Sequence, residues 1–491
     1  MNLYFTGHQE KYAVEQTMLT LFPQERPVYP DPAVTPPGGD NELELQFTRR
    51  PSWCTARAVL RREGKVYTRM CRVRAAELPA DDPVVATRLT RRTLQRAFYL
   101  AAVDCLGSEP PWGMLSGVRP VKLPTRAMEE GSTPRQAEAM LKRYHVSPVR
   151  QQLAMDCAQA SLAVKRDLKP EEISLYVGIP FCPTRCAYCS FISASGSANQ
   201  LIPAYLEALL GEIDAAGEAA RRAGKTVRTV YIGGGTPTTL AADQLRALLN
   251  RLHTAFDLAP GTEFTVEAGR PDTITREKLE AIRDGGGNRI SVNPQTMSDL
   301  VLETIGRSHR AEDIRRAYAL AREVKVGAIN MDLIAGLPAD TPEGFAATLD
   351  EVIGMAPENI TVHTLALKKG ARLRQEDIVL PSGENVARML DFAWSALQQA
   401  GYQPYYLYRQ KFMSGSFENV GWCKPGWANE YNICMMEELH TVLSLGAGGV
   451  TKAIGGRTVR RLANPKYPQE YLQNAPAIQA EKAAWTWETI T

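Results

Sequence analysis

Leu175-Tyr176-Val177-Gly178-Ile179-Pro180-Phe181-Cys182-Pro183-Thr184-Arg185-Cys186-Ala187-Tyr188-Cys189-Ser190-Phe191 is the stretch on which the reading of this chain turns. An apolar, β-branched run stops at Pro180, which lacks a backbone donor and biases its predecessor toward extended geometry. The run therefore reads as a strand, and the three cysteines, spaced C-x3-C-x2-C, fall on the loop at its C-terminal end. α/β barrels carry their chemistry on that face. A [4Fe–4S] cluster takes one thiolate per iron. Three protein thiolates would leave one iron open to another molecule, as a catalytic zinc keeps an open position. Two plainer readings compete. A structural zinc site needs a fourth ligand, and no further Cys or His occurs between Cys189 and His253. Buried, reduced cysteines can also serve simply as small apolar side chains.

Downstream, from residue 173 to about 370, a unit of short apolar run, loop and amphipathic helix recurs. Strands are predicted at Ser174–Ile179, Thr229–Gly233, Glu263–Ala268, Arg289–Asn293, Ala328–Ile334 and Asn359–Leu365, with helices such as Ile202 to Ala223 and Arg310 to Lys325 between them. Alternation of this kind argues for parallel βα units. Six strands fall short of the eight in a closed barrel, so an open, partial barrel is expected, with a doubly wound sheet as the alternative. The predicted strand ends are chemically unusual. The second gives Gly233-Gly234-Gly235-Thr236-Pro237-Thr238, where three glycines allow backbone N–H groups to approach a ligand or simply form a tight turn. It lacks the Gly-Lys-Ser/Thr ending of a nucleoside-triphosphate loop. The third strand ends at Glu267, the fourth reaches Gln295, and the fifth carries Asn330 and Asp332. Arg307 and His309 stand just beyond the fourth. Polar groups in apolar strands are costly unless satisfied, and several at equivalent ends point to one convergent pocket.

The flanking regions differ from this repeat. Residues 1–165 read as an N-terminal α+β domain, with the alternating Glu42–Phe47 and a hairpin of Thr55–Leu60 and Val66–Val73, then a helical pattern from Val84 to Ala102. Within Trp112–Leu123, Arg119 and Lys122 could form an anion pocket or a packed turn. Residues 166–370 make the partial barrel and 371–491 a C-terminal substrate-side region. There, Tyr402 to Lys411 interleaves tyrosines with Arg409 and Lys411. Such a run can stack on a flat anionic ligand or single-stranded RNA, or can be a Tyr-rich sheet edge. At 491 residues, two or three domains are expected. A net charge of +3 gives no global field for nucleic acid or membrane, and no apolar run approaches the ~18 residues that span a bilayer. Met1–His8 does not read as a signal peptide, and nine scattered cysteines do not read as a disulfide framework. A cytoplasmic protein is expected.

With the cysteine triad and Gly233–Pro237 in hand, the chain resembles the radical S-adenosylmethionine enzymes, specifically the oxygen-independent coproporphyrinogen III oxidase-like (HemZ-type) branch. The likeness runs from about residue 110 to 470, through Glu263–Ala268, Arg289–Gln295, Gly306–His309 and Asn330–Pro338. It implies an α/β fold built on a partial (βα)6 radical-SAM barrel with a C-terminal α/β extension. It implies a [4Fe–4S] cluster on Cys182, Cys186 and Cys189, with S-adenosylmethionine on the open iron. Tyr176, Tyr188, Gly234, Gly235, Thr236 and Glu267 would line that cofactor, the loop amides facing its carboxylate. Gln295, Arg307, Asp332 and Ala366 would contact it or a second copy. Tyr176, Arg307 and His309 would act in the reaction itself. The implied activity is anaerobic oxidative decarboxylation of coproporphyrinogen III to protoporphyrinogen IX by a 5′-deoxyadenosyl radical. A haem-binding carrier of the same superfamily is the alternative. The expected partners are a porphyrinogen substrate and an electron donor such as flavodoxin or ferredoxin, with no nucleic acid and no membrane, acting on a monomer. The best-known enzymes of this type carry His and an additional Cys where this chain has Gly178 and Phe191.

Overall fold

The computed structural model describes every residue except Ala80, Val118, Phe191, Ile192 and positions 368–370, 375–377, 411–416, 456–457 and 486–491. Phe191, Lys368 and Lys411 thus lie outside the described residues. The chain forms two units, Met1–Val118 with Ser132–Gln152, and Arg119–Gly131 with Leu153–Thr491.

In the first unit, strands β1 (Asn2–Thr6), β2 (Glu42–Arg49), β3 (Trp53–Arg62) and β4 (Lys65–Arg74) form a sheet in that order. β1 runs parallel to β2, and the other pairs are antiparallel. The β3–β4 turn places Glu63 and Gly64 at φ +53° and +71°, the left-handed pair that a two-residue hairpin demands. Alternation buries Leu43, Leu45 and Phe47 of β2 and Ala56, Ala58 and Leu60 of β3. Helix Pro83–Leu106 covers them with Leu94, Ala97, Phe98 and Ala101. Asp82 starts that helix by accepting hydrogen bonds from the Val84 and Val85 amides at 3.1 and 3.0 Å.

The second unit is built on one sheet. Its centre is β5 (Glu172–Ile179), β6 (Thr226–Gly234), β7 (Glu263–Glu267), β8 (Arg289–Ser291), β9 (Ala328–Ala335) and β10 (Asn359–Thr364), parallel and adjacent in chain order. Helices Ile202–Arg222, Ala242–Phe256, Arg276–Asp284, Ala311–Val324 and Pro342–Met355 make the crossovers. This is the expected partial barrel. Along each strand the aliphatic residues, among them Leu175, Val177, Val230, Ile232, Ile290, Met331 and Val362, are buried on one face. Each such side chain contributes roughly 1.5–3 kcal/mol. The alternate positions carry Tyr176, Tyr231, Thr265, Ser291, Asp332 and Thr361, so the concave face is polar and aromatic.

All six strands match the sequence expectation to within three residues, and β8 ends two residues early, at Ser291. The Val292 amide bonds Asn330 O at 2.9 Å, and the next bond to β9 comes from Gln295 to Asp332 O at 2.9 Å. One residue more than a regular ladder allows lies between them, with Gln295 at φ +66°. The bulge turns Asn293 and Gln295 inward.

The sheet does not stop where the repeat stops. β11 (Gln403–Tyr408) and β12 (Asn419–Cys423) add antiparallel strands beyond β10. β13 (Val442–Leu445) runs parallel beside β5, followed by β14 (Val450–Gly455) and β15 (Thr458–Ala463). The tyrosine-rich run is thus the strand that ends the sheet, and Gly421 of β12 leaves the space the Tyr406 ring fills. Arg119 and Lys122 both pair with Glu438, so they hold a turn and do not form an open anion pocket. Among the described residues no helix is long and apolar enough to cross a membrane.

Candidate functional site

Two loops at the C-terminal ends of β5 and β6 are laced together. The cysteine loop is closed by Ala194 N to Pro180 O (2.8 Å) and Cys182 N to Ala194 O (2.9 Å). The glycine loop docks on its base through Gly235 N to Ile179 O (2.8 Å) and Thr236 N to Phe181 O (2.7 Å). Thr236 Oγ1 donates to Cys182 Sγ at 3.5 Å. Gly235 has to be glycine: a Cβ there would lie 2.5 Å from Phe181 O. Gly234, at φ +112°, turns its amide to the Glu267 carboxylate. All three amides are therefore committed within the protein. The expected anion-binding use of this loop is corrected: its glycines permit close packing of backbone on backbone.

Above these loops the concave face encloses a cavity of 460 Å³. Cys182, Cys186 and Cys189 face it from one side. Tyr176, Gly234, Gly235 and Thr236 line it from β5 and β6, Glu267 and Gln295 from the middle, and Asp332 from β9. Tyr188, Arg307 and Ala366 close it from loops. Of the residues expected at the site, His309 alone does not line the cavity. It is buried, neither ring nitrogen has a partner, and burial together with the Arg307 charge pushes its pKa down to about 4.

The cavity wall is electrostatically graded. Tyr231 donates to Glu267 Oε1 at 2.6 Å. Burial pushes the Glu267 carboxyl up to about 7, with the nearby Asp332 charge adding to it. Asp332 is also penalised by burial, but the neighbouring His363 and a bond from Asn330 outweigh this and hold it below its ordinary range. Asn330 Nδ2 donates to Asp332 Oδ1 at 2.7 Å, and His363 Nε2 lies 3.8 Å from Oδ2. Arg307 donates to Asn293 O at 2.8 Å and to Tyr188 Oη at 3.2 Å, and its Nε is unpartnered. Asn293 Oδ1 and Gln295 Oε1 are likewise buried without partners. Buried polar atoms of this kind carry a cost that a polar ligand relieves.

A pH dependence follows from Glu267. A carboxyl whose folded pKa lies above its unfolded value binds more protons when folded, so stability is full below the unfolded value of 4.5 and is lost as pH rises through about 7. Glu267→Gln is expected to remove that slope. The ligand-free variant should melt above the parent at pH 8 by roughly 1–2 kcal/mol, and the two should converge near pH 4. Thermal melts across that range check it, and parallel curves would overturn the assignment.

Several residues at the cavity escape the sequence reading. Tyr231 stacks between Tyr176 (ring centroids 6.4 Å apart) and Tyr431 (4.5 Å). Strand alternation counted back from Gly233 would find it. Thr361, His363, Tyr406 and Tyr408 also line the cavity. Arg270 follows β7 in an ordinary-looking Gly-Arg-Pro loop and carries no local signal. Gly178 has no room for a side chain: a Cβ would sit 2.7 Å from Ala447 O. The Tyr205 hydroxyl fastens this approach, donating to Gly178 O and accepting from the Ala447 amide, both at 2.7 Å.

The donors present fit an iron–sulfur cluster. Three cysteine thiols, of Cys182, Cys186 and Cys189, face one side of the cavity. A four-iron cluster spreads its thiolates over separate irons. The unpartnered Arg307, Asn293 and Gln295 atoms fit a polar molecule beside it.

Comparison with known proteins agrees with this geometry. The profile of the Radical SAM superfamily matches residues 176–352. The oxygen-independent coproporphyrinogen-III oxidase-like protein HemZ of Bacillus subtilis is 39% identical over 386 residues, 77% of each chain. The heme chaperone HemW of Escherichia coli is 28% identical over 307 residues, covering 62% of this chain and 77% of its own. The solved structure of the E. coli coproporphyrinogen III oxidase HemN superposes with a TM-score of 0.53 at 27% identity, over 65% of this chain and 73% of that one. A cysteine loop at the mouth of a six-stranded partial barrel, with likeness to HemZ along three quarters of its length, makes this chain a member of the radical SAM superfamily, in its HemN/HemZ-like family.

Proposed function

We propose that the protein oxidatively decarboxylates the propionate groups of coproporphyrinogen III to vinyl groups without oxygen, forming protoporphyrinogen IX. The observation that carries this reading is the 39% identity with B. subtilis HemZ, which extends over 77% of both chains.

Cys182, Cys186 and Cys189 would hold the [4Fe–4S] cluster. When bound there, the cluster and S-adenosylmethionine supply a 5′-deoxyadenosyl radical able to take a hydrogen atom from the β-carbon of a propionate. The chain's own groups position and isolate the reactants. Arg307, fixed by Asn293 O and Tyr188, offers its remaining Nε–H to a carboxylate. Asp332, kept ionised by Asn330 and His363, suits ribose hydroxyls. Glu267, held by Tyr231, suits an ammonium group. Gln295 and Ala366 complete the lining. The stacked Tyr176, Tyr231 and Tyr431 rings give a flat apolar wall that excludes water from the reacting carbon. Loss of carbon dioxide and one electron from the substrate then leaves the vinyl group. The electron that starts each cycle would come from a flavodoxin- or ferredoxin-like donor.

The test is anaerobic incubation of reconstituted protein with S-adenosylmethionine, reductant and coproporphyrinogen III. Vinyl product together with 5′-deoxyadenosine is expected. A second reading, a haem carrier, is favoured by the likeness to E. coli HemW. Stoichiometric haem binding with no porphyrinogen turnover would replace the first reading by the second.

A further inference from the structure

Arg270 is 3% exposed, yet lies on a loop facing the cavity. Its guanidinium reaches three ways. Nη1 donates to the Thr184 carbonyl (3.2 Å) and hydroxyl (2.8 Å), both inside the cysteine loop. The same nitrogen lies 3.9 Å from Cys186 Sγ, within hydrogen-bonding range of sulfur. Nε and Nη2 form a two-point pair with Asp272 at 3.0 and 2.9 Å, and Nη2 also reaches Ser308 Oγ at 3.4 Å. The fork thus places a cation against the most buried of the three cysteines, with its countercharge on the far side. Asp272 is 29% exposed.

We propose that the Arg270–Asp272 pair sets the reduction potential of the cluster held by Cys186, with Arg270 raising it and Asp272 limiting the rise. Reduction of the oxidised cluster adds one electron, taken from a one-electron donor, and so one negative charge beside the sulfur; no bond to carbon and no proton is involved. A donor N–H and a positive charge aimed at that sulfur stabilise the reduced form, because hydrogen bonds to sulfur and net charge are what tune such clusters. Asp272 neutralises part of the field. Arg270 is a positioning residue here: it acts through Cys186. The inference needs only a bound cluster and is independent of the tetrapyrrole reading.

The experiment is a potentiometric titration, followed by the electron paramagnetic resonance of the reduced cluster, on the anaerobically reconstituted full chain without S-adenosylmethionine. At the parent's midpoint, Arg270→Gln is expected to cut the ratio of reduced to oxidised cluster about tenfold, a fall of about 59 mV for one electron. Asp272→Asn, which leaves the cation uncompensated, should shift the ratio in the opposite direction. A role confined to bracing the loop would not give shifts of opposite sign. If Arg270→Gln fails to hold a cluster, Asp272→Asn decides alone. An unchanged midpoint in Asp272→Asn, or movement of both variants in the same direction, overturns the proposal.

Discussion

Replacing any one of Cys182, Cys186 or Cys189 with Ala is expected to abolish both cluster absorbance and 5′-deoxyadenosine formation. The three thiols share one short loop whose ends are pinned by Ala194, so none can be substituted by a neighbour sliding into place. Nor can Cys423 or Cys434 compensate. Burial pushes the Cys423 and Cys434 thiols up to about 12, which keeps them protonated, whereas a cluster ligand must be a thiolate. Cys423→Ala and Cys434→Ala therefore serve as matched controls and should retain full absorbance, with a stability loss of about 1–2 kcal/mol from the small cavities left. Iron and sulfide analysis beside the visible spectrum of anaerobically reconstituted protein makes the measurement. Undiminished cofactor cleavage in any of the three loop variants would refute the ligand assignment.

Gly235→Ala is expected to be nearly as damaging, although it adds a single methyl group. The new carbon would fall 2.5 Å from Phe181 O, 2.8 Å from its N and 2.9 Å from its C, all backbone atoms that no rotamer change can move aside. Relief requires separating the glycine loop from the cysteine loop, breaking the Gly235–Ile179 and Thr236–Phe181 hydrogen bonds. Overpacking of this kind costs about 1–3 kcal/mol in global stability. The local effect is larger, because both loops face the cofactor. Cluster occupancy should drop and S-adenosylmethionine affinity should weaken by at least about tenfold, corresponding to ~1.4 kcal/mol. Equilibrium binding on reconstituted protein, with Gly354→Ala at an exposed helical position as a folding control, measures this. Parent-like affinity in Gly235→Ala would show that the two loops tolerate separation.

The extent to which sequence foretells this site varies with the range of the interaction. Strand periodicity and the proline after β5 are local, and they place the six parallel strands and put the cysteine loop at their C-terminal ends. Polar residues at strand ends converge as expected because parallel strands bring equivalent ends together. The direction of the glycine-loop amides is a different matter. Glycine-rich turns bind anions or pack on backbone with the same composition, and only the partner strand decides which. The bulge at Gln295 depends on register with β9, which no single strand encodes. Arg270 has no signature because its partners, Thr184 and Cys186, lie more than eighty residues away. His309 follows Gly-Arg-Ser in a stretch that does contribute Arg307, yet it is buried outside the cavity lining, a placement that residue type alone does not reveal. β13 settles beside β5 although nearly the whole barrel separates them in the chain.

That last pairing, with β12 on the opposite flank, has a consequence for how this protein can be altered. Ser444 of β13 is in register with Tyr176, and Gly421 of β12 with Thr361, so residues after 400 complete the ladders of the first and last barrel strands. Exchanging the tail for that of a relative would strip both flanks of the sheet at once and expose two rows of unpaired amides and carbonyls. Ligand preference in this lineage cannot therefore be transplanted as a cassette; it has to be rewritten residue by residue on strands that also keep the cofactor chamber intact.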